Sequence, residues 1–236
     1  MEIIGKKFLR RFERDVIFNS IFMKKLNIPL VFQDKNSVDC GLACLQMVFE
    51  YYGEKRTIAE MKKELKLYKI GTYSPQLGAY LLKNGFKVEL ITQHPGLFTL
   101  RHRKVGQKGL LEHIKNLYAE NKDEKHAITL KYFLEFMEAG GMIKVKVPGA
   151  GDIKNALNKN RPLIALITQG FLLDKEPNFN FHFNVVTGVS GDSVYLNDPD
   201  SDHEGKQKYS MTDFLYALHS SVHGDLDNGS LLVIRR

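Results

Sequence analysis

Apolar residues recur every three or four positions through DCGLACLQMVFEYY, where Cys40, Ala43, Cys44, Met47, Val48 and Tyr51 share one stripe that ends at Gly53. This period predicts a buried helix that opens at the cysteine. Thr57-Ile-Ala-Glu60 has the reciprocal capping pattern of a second helix start. Ser74-Pro75 supplies an N-cap and first-turn proline for a third, which stops at Asn84-Gly85. Phe86, Val88 and Leu90 then alternate with Lys87 and Glu89, the two-residue period of a half-buried strand. Two more helical stripes follow, one through Leu110, Leu111, Ile114 and Leu117, the other through Ile128, Phe133, Leu134 and Met137 with Gly140-Gly141 as its C-terminal cap. Beyond Met142 the texture changes to short β-branched or alternating runs: MIKVKV, PLIALIT, FNVVTGV, VYLND and LLVI. Helices from about Ile153 and about Thr212 lie between them. Helices first and strands second predict an α+β fold, with N-terminal helices packed on a C-terminal antiparallel sheet.

The first 26 residues have a different texture. Lys6, Lys7, Arg10, Arg11, Arg14, Lys24 and Lys25 interleave with Ile3, Ile4, Phe8, Phe12, Phe18 and Phe22. That pattern predicts a basic amphipathic helix, packed on its own domain or docked on an anionic membrane or a partner. No internal repeat or Pro/Ser-rich linker interrupts the rest, so residues 1–26 are an extension and 27–236 one domain.

Composition narrows the class. A chain of 236 residues can bury a full core without staples, and 43% hydrophobic with 26% charged residues excludes a disordered chain. Two cysteines four positions apart, Cys40 and Cys44, are too few and too close for a secreted disulfide framework. No run approaches the roughly 18 apolar residues that span a bilayer, and the start lacks a secretory pattern. A cytoplasmic protein without a transmembrane segment is expected. The excess of 34 Lys+Arg over 27 Asp+Glu, net +7, is not gathered into a nucleic-acid stripe, so no nucleic-acid partner is expected.

Cys40 carries the candidate chemistry. At the start of a buried helix, unpaired N–H groups and the helix dipole favour a thiolate. A lone cysteine there is equally a small core residue, as Cys44 one turn later must be, so partners decide. They lie in FHFNVVTGVSGDSVYLNDPD, where two strands flank the turn Ser190-Gly191-Asp192-Ser193. A hairpin brings its outer ends together, so His182 and Asp198 can meet as a base and the carboxylate that orients it.

These residues resemble a known family. Gln33, the Asp39-Cys40-Gly41 start followed by Leu-Ala-Cys-Leu-Gln-Met-Val, His182-Phe-Asn-Val-Val and the Asn197-Asp198-Pro199 turn look like the bacteriocin-processing cysteine peptidases that cut after double glycine. EYYGEKRTIAEMKKEL and GTYSPQLGAYLLKNGFKVEL extend the likeness, which covers most of 30–93 and 152–236. The resemblance implies a papain-like fold with Cys40 as nucleophile, His182 as general base, Asp198 as its orienting carboxylate and Gln33 in the oxyanion hole. It implies a peptide or protein substrate; the residues themselves give no reason to expect a cofactor or a metal. Gln33 stands one residue further from the cysteine than is usual, so its loop must bulge for the amide to reach. Residues 94–150, a helical insertion, intervene where the short peptidases have little, and the Asp-Cys-Gly-Leu-Ala-Cys start and C-terminal strand also resemble a papain-like group described as guanylyl cyclases, so a free-standing relative of the family is expected.

Other signals are set aside. Asp198, Asp200, Asp202 and Glu204 alternate like a calcium loop, but the places for its glycine and final glutamate hold His203 and Tyr209. His219 and His223 have i,i+4 spacing without the further ligands of a zinc site. No GxxxxGK[ST] phosphate loop is present. The reading is a cysteine-dependent hydrolase or acyl-transfer enzyme acting on a peptide or protein amide, with residues 94–150 expected to wall the cleft. The alternatives are a non-catalytic peptide-binding module of the same fold and a deamidase- or transglutaminase-type effector.

Overall fold

The segment read as a buried helix forms α1, Cys40–Tyr51. Leu42, Cys44, Leu45, Met47, Val48 and Phe49 are all fully buried, so apolar surface runs around this helix and not along a single stripe. A helix of that kind belongs in the centre of a core. The computed structural model describes residues 23–173, 180–203, 205–221 and 229–236, and there α1 packs on a strand of an eight-stranded sheet and on two neighbouring helices.

Those neighbours begin as the sequence predicts, within a residue. In α2 (Ile58–Glu64) the Glu60 N–H donates to Thr57 Oγ1 at 3.2 Å, and the Thr57 N–H donates back to Glu60 Oε2 at 2.8 Å. In α3 (Ser74–Lys83) the proline sits in the first turn, but the cap position is Tyr73, whose N–H donates to the Gln76 side chain.

The sheet contains β1 (Met23–Lys25), β2 (Lys87–Thr92), β3 (Met142–Val145), β4 (Leu163–Thr168), β5 (Phe181–Ser190), β6 (Ser193–Asn197), β7 (Lys206–Ser210) and β8 (Leu231–Arg235). Its spatial order is β3-β2-β8-β4-β5-β6-β7, with β1 beside β5. Every pairing is antiparallel except β2 with β3, where Glu89 lies across from Met142 in parallel register. The sheet is therefore mixed and not wholly antiparallel. The helical crossover between those two strands is what makes a parallel neighbour reachable. All six residues of β4 are buried, which explains why LIALIT reads as a continuous apolar run.

Residues 1–22, which carry most of the expected basic helix, lie outside the described residues. Its last residues are not helical: Met23–Lys25 pair with β5, Lys24 across from Val189 and Lys25 across from Gly188. β5 is long enough to hold β4 along 181–186 and β1 along 188–190 on one edge, with β6 on the other. Pairing with that edge satisfies backbone groups that a terminal helix would leave to side chains or water.

The insertion holds α4 (Gln107–Glu120) and α5 (Glu124–Glu138), followed by β3. The Gly140 cap is real, in left-handed backbone at φ 91°. Among the described residues the remaining α-helices are α6 (Ala150–Asn158), starting three residues earlier than expected, the short α7 (Gln169–Leu172) and α8 (Met211–Ser220). Phe136 of α5 is fully buried and wedged against two glycines. A Cβ on Gly78 of α3 would stand 2.7 Å from its Cε2, and one on Gly141 would stand 2.4 Å from its Cζ.

This seat yields a stability test. Alanine gains about 1 kcal/mol over glycine in a helix, but overpacking a filled core costs about 1–3 kcal/mol. The ring is fully buried and Gly141 already stands against its tip, so it has little room to give way and the clash opposes the helix gain. The net cost is about 0–2 kcal/mol, so Gly78→Ala should lower the melting temperature by up to about 8 °C, at ~2–4 °C per kcal/mol for a chain of this size. In a Phe136→Leu background the same change should be neutral or stabilising. Equal losses in both backgrounds would refute the seat.

Candidate active site

The hairpin predicted from the sequence is β5 and β6. Its register runs from Ser190 across from Ser193 to Val185 across from Asn197, with a shift between Val186 and Gly188. Continuing it puts Asp198 across from Asn184, with His182 two residues along the same face. His182 Nε2 donates to Asp198 Oδ1 at 2.9 Å. The ring's other nitrogen, Nδ1, is thereby left for Cys40, whose sulfur interacts with the same imidazole. The site is closely packed: His182 is 6% exposed and Asp198 is 1% exposed.

Cys40 begins α1, whose first N–H groups have no acceptor within the helix. Its sulfur also meets the backbone N–H groups of Gly41 and Phe183. Phe183 lies where β5 runs beyond β6, so its edge is open to the sulfur. Burial opposes a thiolate, yet the His182 charge and hydrogen bond, with the two N–H groups, hold the Cys40 thiol below the usual range. Burial likewise opposes a charged His182, but the Cys40 charge and the hydrogen bonds from Asp198 and Cys40 outweigh it and push its pKa up to about 10. For Asp198 burial is again outweighed, by His182, the Asp200 N–H and the His203 charge, and the carboxyl titrates below its usual range. Cys44 has no such help: burial, then the charges of Cys40 and Asp198, push its thiol well up.

Between Gln33 and Cys40 the chain turns: Asn36 is in left-handed backbone at φ 60°, and the Ser37 N–H donates to Asp34 O at 3.1 Å. The Gln33 N–H donates to Pro199 O at 2.8 Å, tying this loop to the turn that carries Asp198. Gln33 Nε2 donates to Ser37 O at 3.2 Å, while its Oε1 is buried without a partner.

Gln33, Cys40 and His182 line one cleft of about 660 Å³. Val38, Ile70 and Thr72 come to it from the helical half, and Leu166, Phe181 and Phe183 from the sheet. No lining residue comes from 94–150. The expectation that the insertion walls the cleft is thus corrected: its apolar stripes are spent on α3 and the sheet, on another side of the core.

The sequence reading passes over two groups beside Asp198. Gln169 Nε2 hydrogen-bonds to Asp198 Oδ2, and His203 Nδ1 reaches the same oxygen at 2.9 Å. His203 draws notice in the sequence only as the wrong residue in a calcium loop, and Gln169 carries no signal beyond ending an apolar strand. A third is Asp39, buried beside Cys40 and ion-paired to Lys62 of α2 at 2.6 Å. Of the remaining candidates, Glu204 and His223 lie outside the described residues. His219, half-buried in α8, hydrogen-bonds to the Pro148 backbone.

A cysteine opening a buried helix against an antiparallel hairpin, within an α+β fold, defines the papain-like class of cysteine peptidase folds. The chain belongs to the Peptidase_C39 like family, whose sequence model matches residues 25–219. Three solved structures are similar. One is a double glycine motif protease from an AMS/PCAT transporter in complex with the leader peptide, at 16% identity and TM-score 0.46, covering 91% of this chain and 95% of that one. Another is the peptidase domain of Streptococcus ComA, a bi-functional ABC transporter involved in a quorum sensing pathway, at 17% identity and TM-score 0.47, covering 88% and 98%. The third is a C39-like peptidase from Bacillus anthracis, at 14% identity and TM-score 0.42, covering 91% and 98%. Comparison with curated proteins gives no match. Among the described residues no helix is long and apolar enough to cross a membrane.

The charge arrangement sets a pH window. The raised His182 value stabilises the folded pair fully below its ordinary 6.5, and that contribution disappears as pH rises through about 10. The lowered Cys40 value acts in the opposite sense, and its contribution is lost as pH falls through the folded value. An ordinary thiol titrating near ~8.5 is only about 1% ionised at pH 6.5. Even with the lower nucleophilicity of a stabilised thiolate, iodoacetamide should alkylate Cys40 about tenfold faster at that pH in the wild type than in His182→Ala. Cys44 should stay unmodified in both, as read by peptide mass spectrometry. Equal Cys40 rates in the two proteins would rule out the pair.

Proposed function

We propose that the protein is a cysteine peptidase in which Cys40, His182 and Asp198 act as nucleophile, general acid–base and orienting carboxylate on a peptide or protein amide. The observation that carries this reading is a single buried imidazole that donates to Asp198 on one side and interacts with the Cys40 sulfur on the other, facing a cleft.

The geometry supports the following steps. The Cys40 thiolate adds to the carbonyl carbon of the scissile amide, and negative charge moves onto the carbonyl oxygen. The Cys40 backbone N–H and the second N–H of Gln33 Nε2, whose first is used on Ser37 O, are the donors for that charge. His182 gives its proton to the leaving nitrogen, the C–N bond breaks, and a thioester to Cys40 remains. His182, neutral now, takes a proton from water as the water oxygen adds to the thioester carbonyl. The carboxylic acid leaves, and the thiolate–imidazolium pair is restored. Asp198 accepts from His182 Nε2 throughout, which keeps Nδ1 toward the sulfur.

Membership of the family makes a fluorogenic peptide with Gly-Gly before the scissile bond the first substrate to assay. The wild type should cleave it with acyl transfer to water. Cys40→Ala should abolish turnover, Asp198→Asn should lower kcat by about 10²–10⁴, and Gln33→Ala by about 10²–10³ with a smaller effect on KM. Saturable binding of that peptide without cleavage would replace the peptidase with a non-catalytic peptide-binding module. Ammonia release from glutamine peptides, or their cross-linking to amines, would replace hydrolysis with deamidation or transamidation at the same cysteine.

A further inference from the structure

Asp198 is held from both of its oxygens. Oδ1 accepts from His182 Nε2 and from the Asp200 N–H, each at 2.9 Å. Oδ2 meets Gln169 Nε2 and His203 Nδ1. A carboxylate can only accept, so the His203 nitrogen at 2.9 Å from it is the one that carries the hydrogen. Two imidazoles thus donate to one aspartate, from opposite sides.

The second imidazole is a built feature. Its ring is almost wholly buried, and the loop that brings it back is stitched at each step. The Asp198 N–H donates to Gly205 O at 2.6 Å, and the His203 N–H donates to Asp200 O at 3.2 Å. Asp200 Oδ2 lies 3.7 Å from the same ring nitrogen. Gln169 Nε2 stands 2.9 Å from His203 Nδ1, two donors side by side on one oxygen and not bonded to each other, while Gln169 Oε1 is left buried without a partner. An amide turned to satisfy its own oxygen would give up the carboxylate. The fold keeps the nitrogen on Asp198.

We propose that His203 is a positioning residue: with Gln169 it anchors Asp198 Oδ2, so that Oδ1 stays on His182 and His182 Nδ1 stays on Cys40. This inference rests on the triad reading above. A buried carboxylate held by one oxygen only can rotate about its Cβ–Cγ bond, and each rotation away from His182 releases the ring that shares a proton with the sulfur. Asparagine places an N–H close to where the histidine carries Nδ1–H, so it can replace the donor without replacing the ring.

The test is Cys40 alkylation at pH 6.5 in wild type, His203→Ala, His203→Asn and His182→Ala, with proton NMR of the downfield imidazole N–H region and thermal melts on each. His203→Ala should slow alkylation about three- to tenfold, and His203→Asn should stay within about twofold of the wild type. The wild type should show two carboxylate-bound imidazole N–H resonances, of which His203→Ala loses one and keeps that of His182. A wild-type rate in His203→Ala would overturn the proposal. So would His203→Asn as slow as His203→Ala with a matching loss of melting temperature, because that marks a merely structural ring. Failure of the triad itself reads differently: His182→Ala would then alkylate at the wild-type rate, whatever the His203 variants do.

Discussion

Two opposite charges placed out of water do not stabilise each other enough to stay charged. Desolvation costs several kcal/mol per ion, whereas a pair about 4 Å apart recovers only about 4 kcal/mol at the effective dielectric of a protein. A buried thiolate–imidazolium pair therefore needs more than its own attraction. Here Asp198 sits beyond His182, the Phe183 and Gly41 N–H groups reach the sulfur, and the start of α1 adds its dipole, worth about 0.3–1 kcal/mol. Those groups come from a helix, an open stretch of sheet edge and the turn after a hairpin. The fold is largely the means of bringing the three together.

That requirement explains the layout of the core. α1 is buried on nearly all sides, so its first residue is fixed against β5 with little freedom to tilt. β5 outruns β6, which leaves Phe183 free for the sulfur, and β1 and β4 share its other edge. The loop before the cysteine is tied to the turn after the hairpin by the Gln33–Pro199 backbone bond, and Lys62 holds Asp39 from the helical side. The segments flanking Cys40 and Asp198 are thus cross-braced, one to another, before any substrate enters.

The insertion serves a separate end. Phe136, seated between Gly78 and Gly141, fastens α5 to α3, and β3 adds a strand in parallel to β2. Both contacts lie away from the residues that line the cleft. Stability contributed there is separated in space from the candidate site, so this part of the chain can change its surface without disturbing the contacts among Cys40, His182 and Asp198.

Local signals made much of this legible. The helix opening at Cys40, the capping pattern at Thr57, the hairpin between His182 and Asp198, and the strand runs after Met142 all follow from periodicity and turn chemistry, which depend on neighbours a few residues away. The same signals brought Cys40, His182 and Asp198 forward as candidates, whereas Gln33 came forward only through the resemblance to a known family. Register and crossover were not legible: that His182 lies diagonally from Asp198, that β8 enters between β2 and β4, that β3 runs parallel to β2, and that Met23–Lys25 is a strand. Nor were Gln169 and His203, which reach Asp198 across 29 and 5 residues of chain. Residue type and spacing specify which groups can carry charge and where the backbone can turn. Which of those groups meet is set by the packing of distant segments, because a buried carboxylate takes its donors from whatever the closed core places within hydrogen-bond reach.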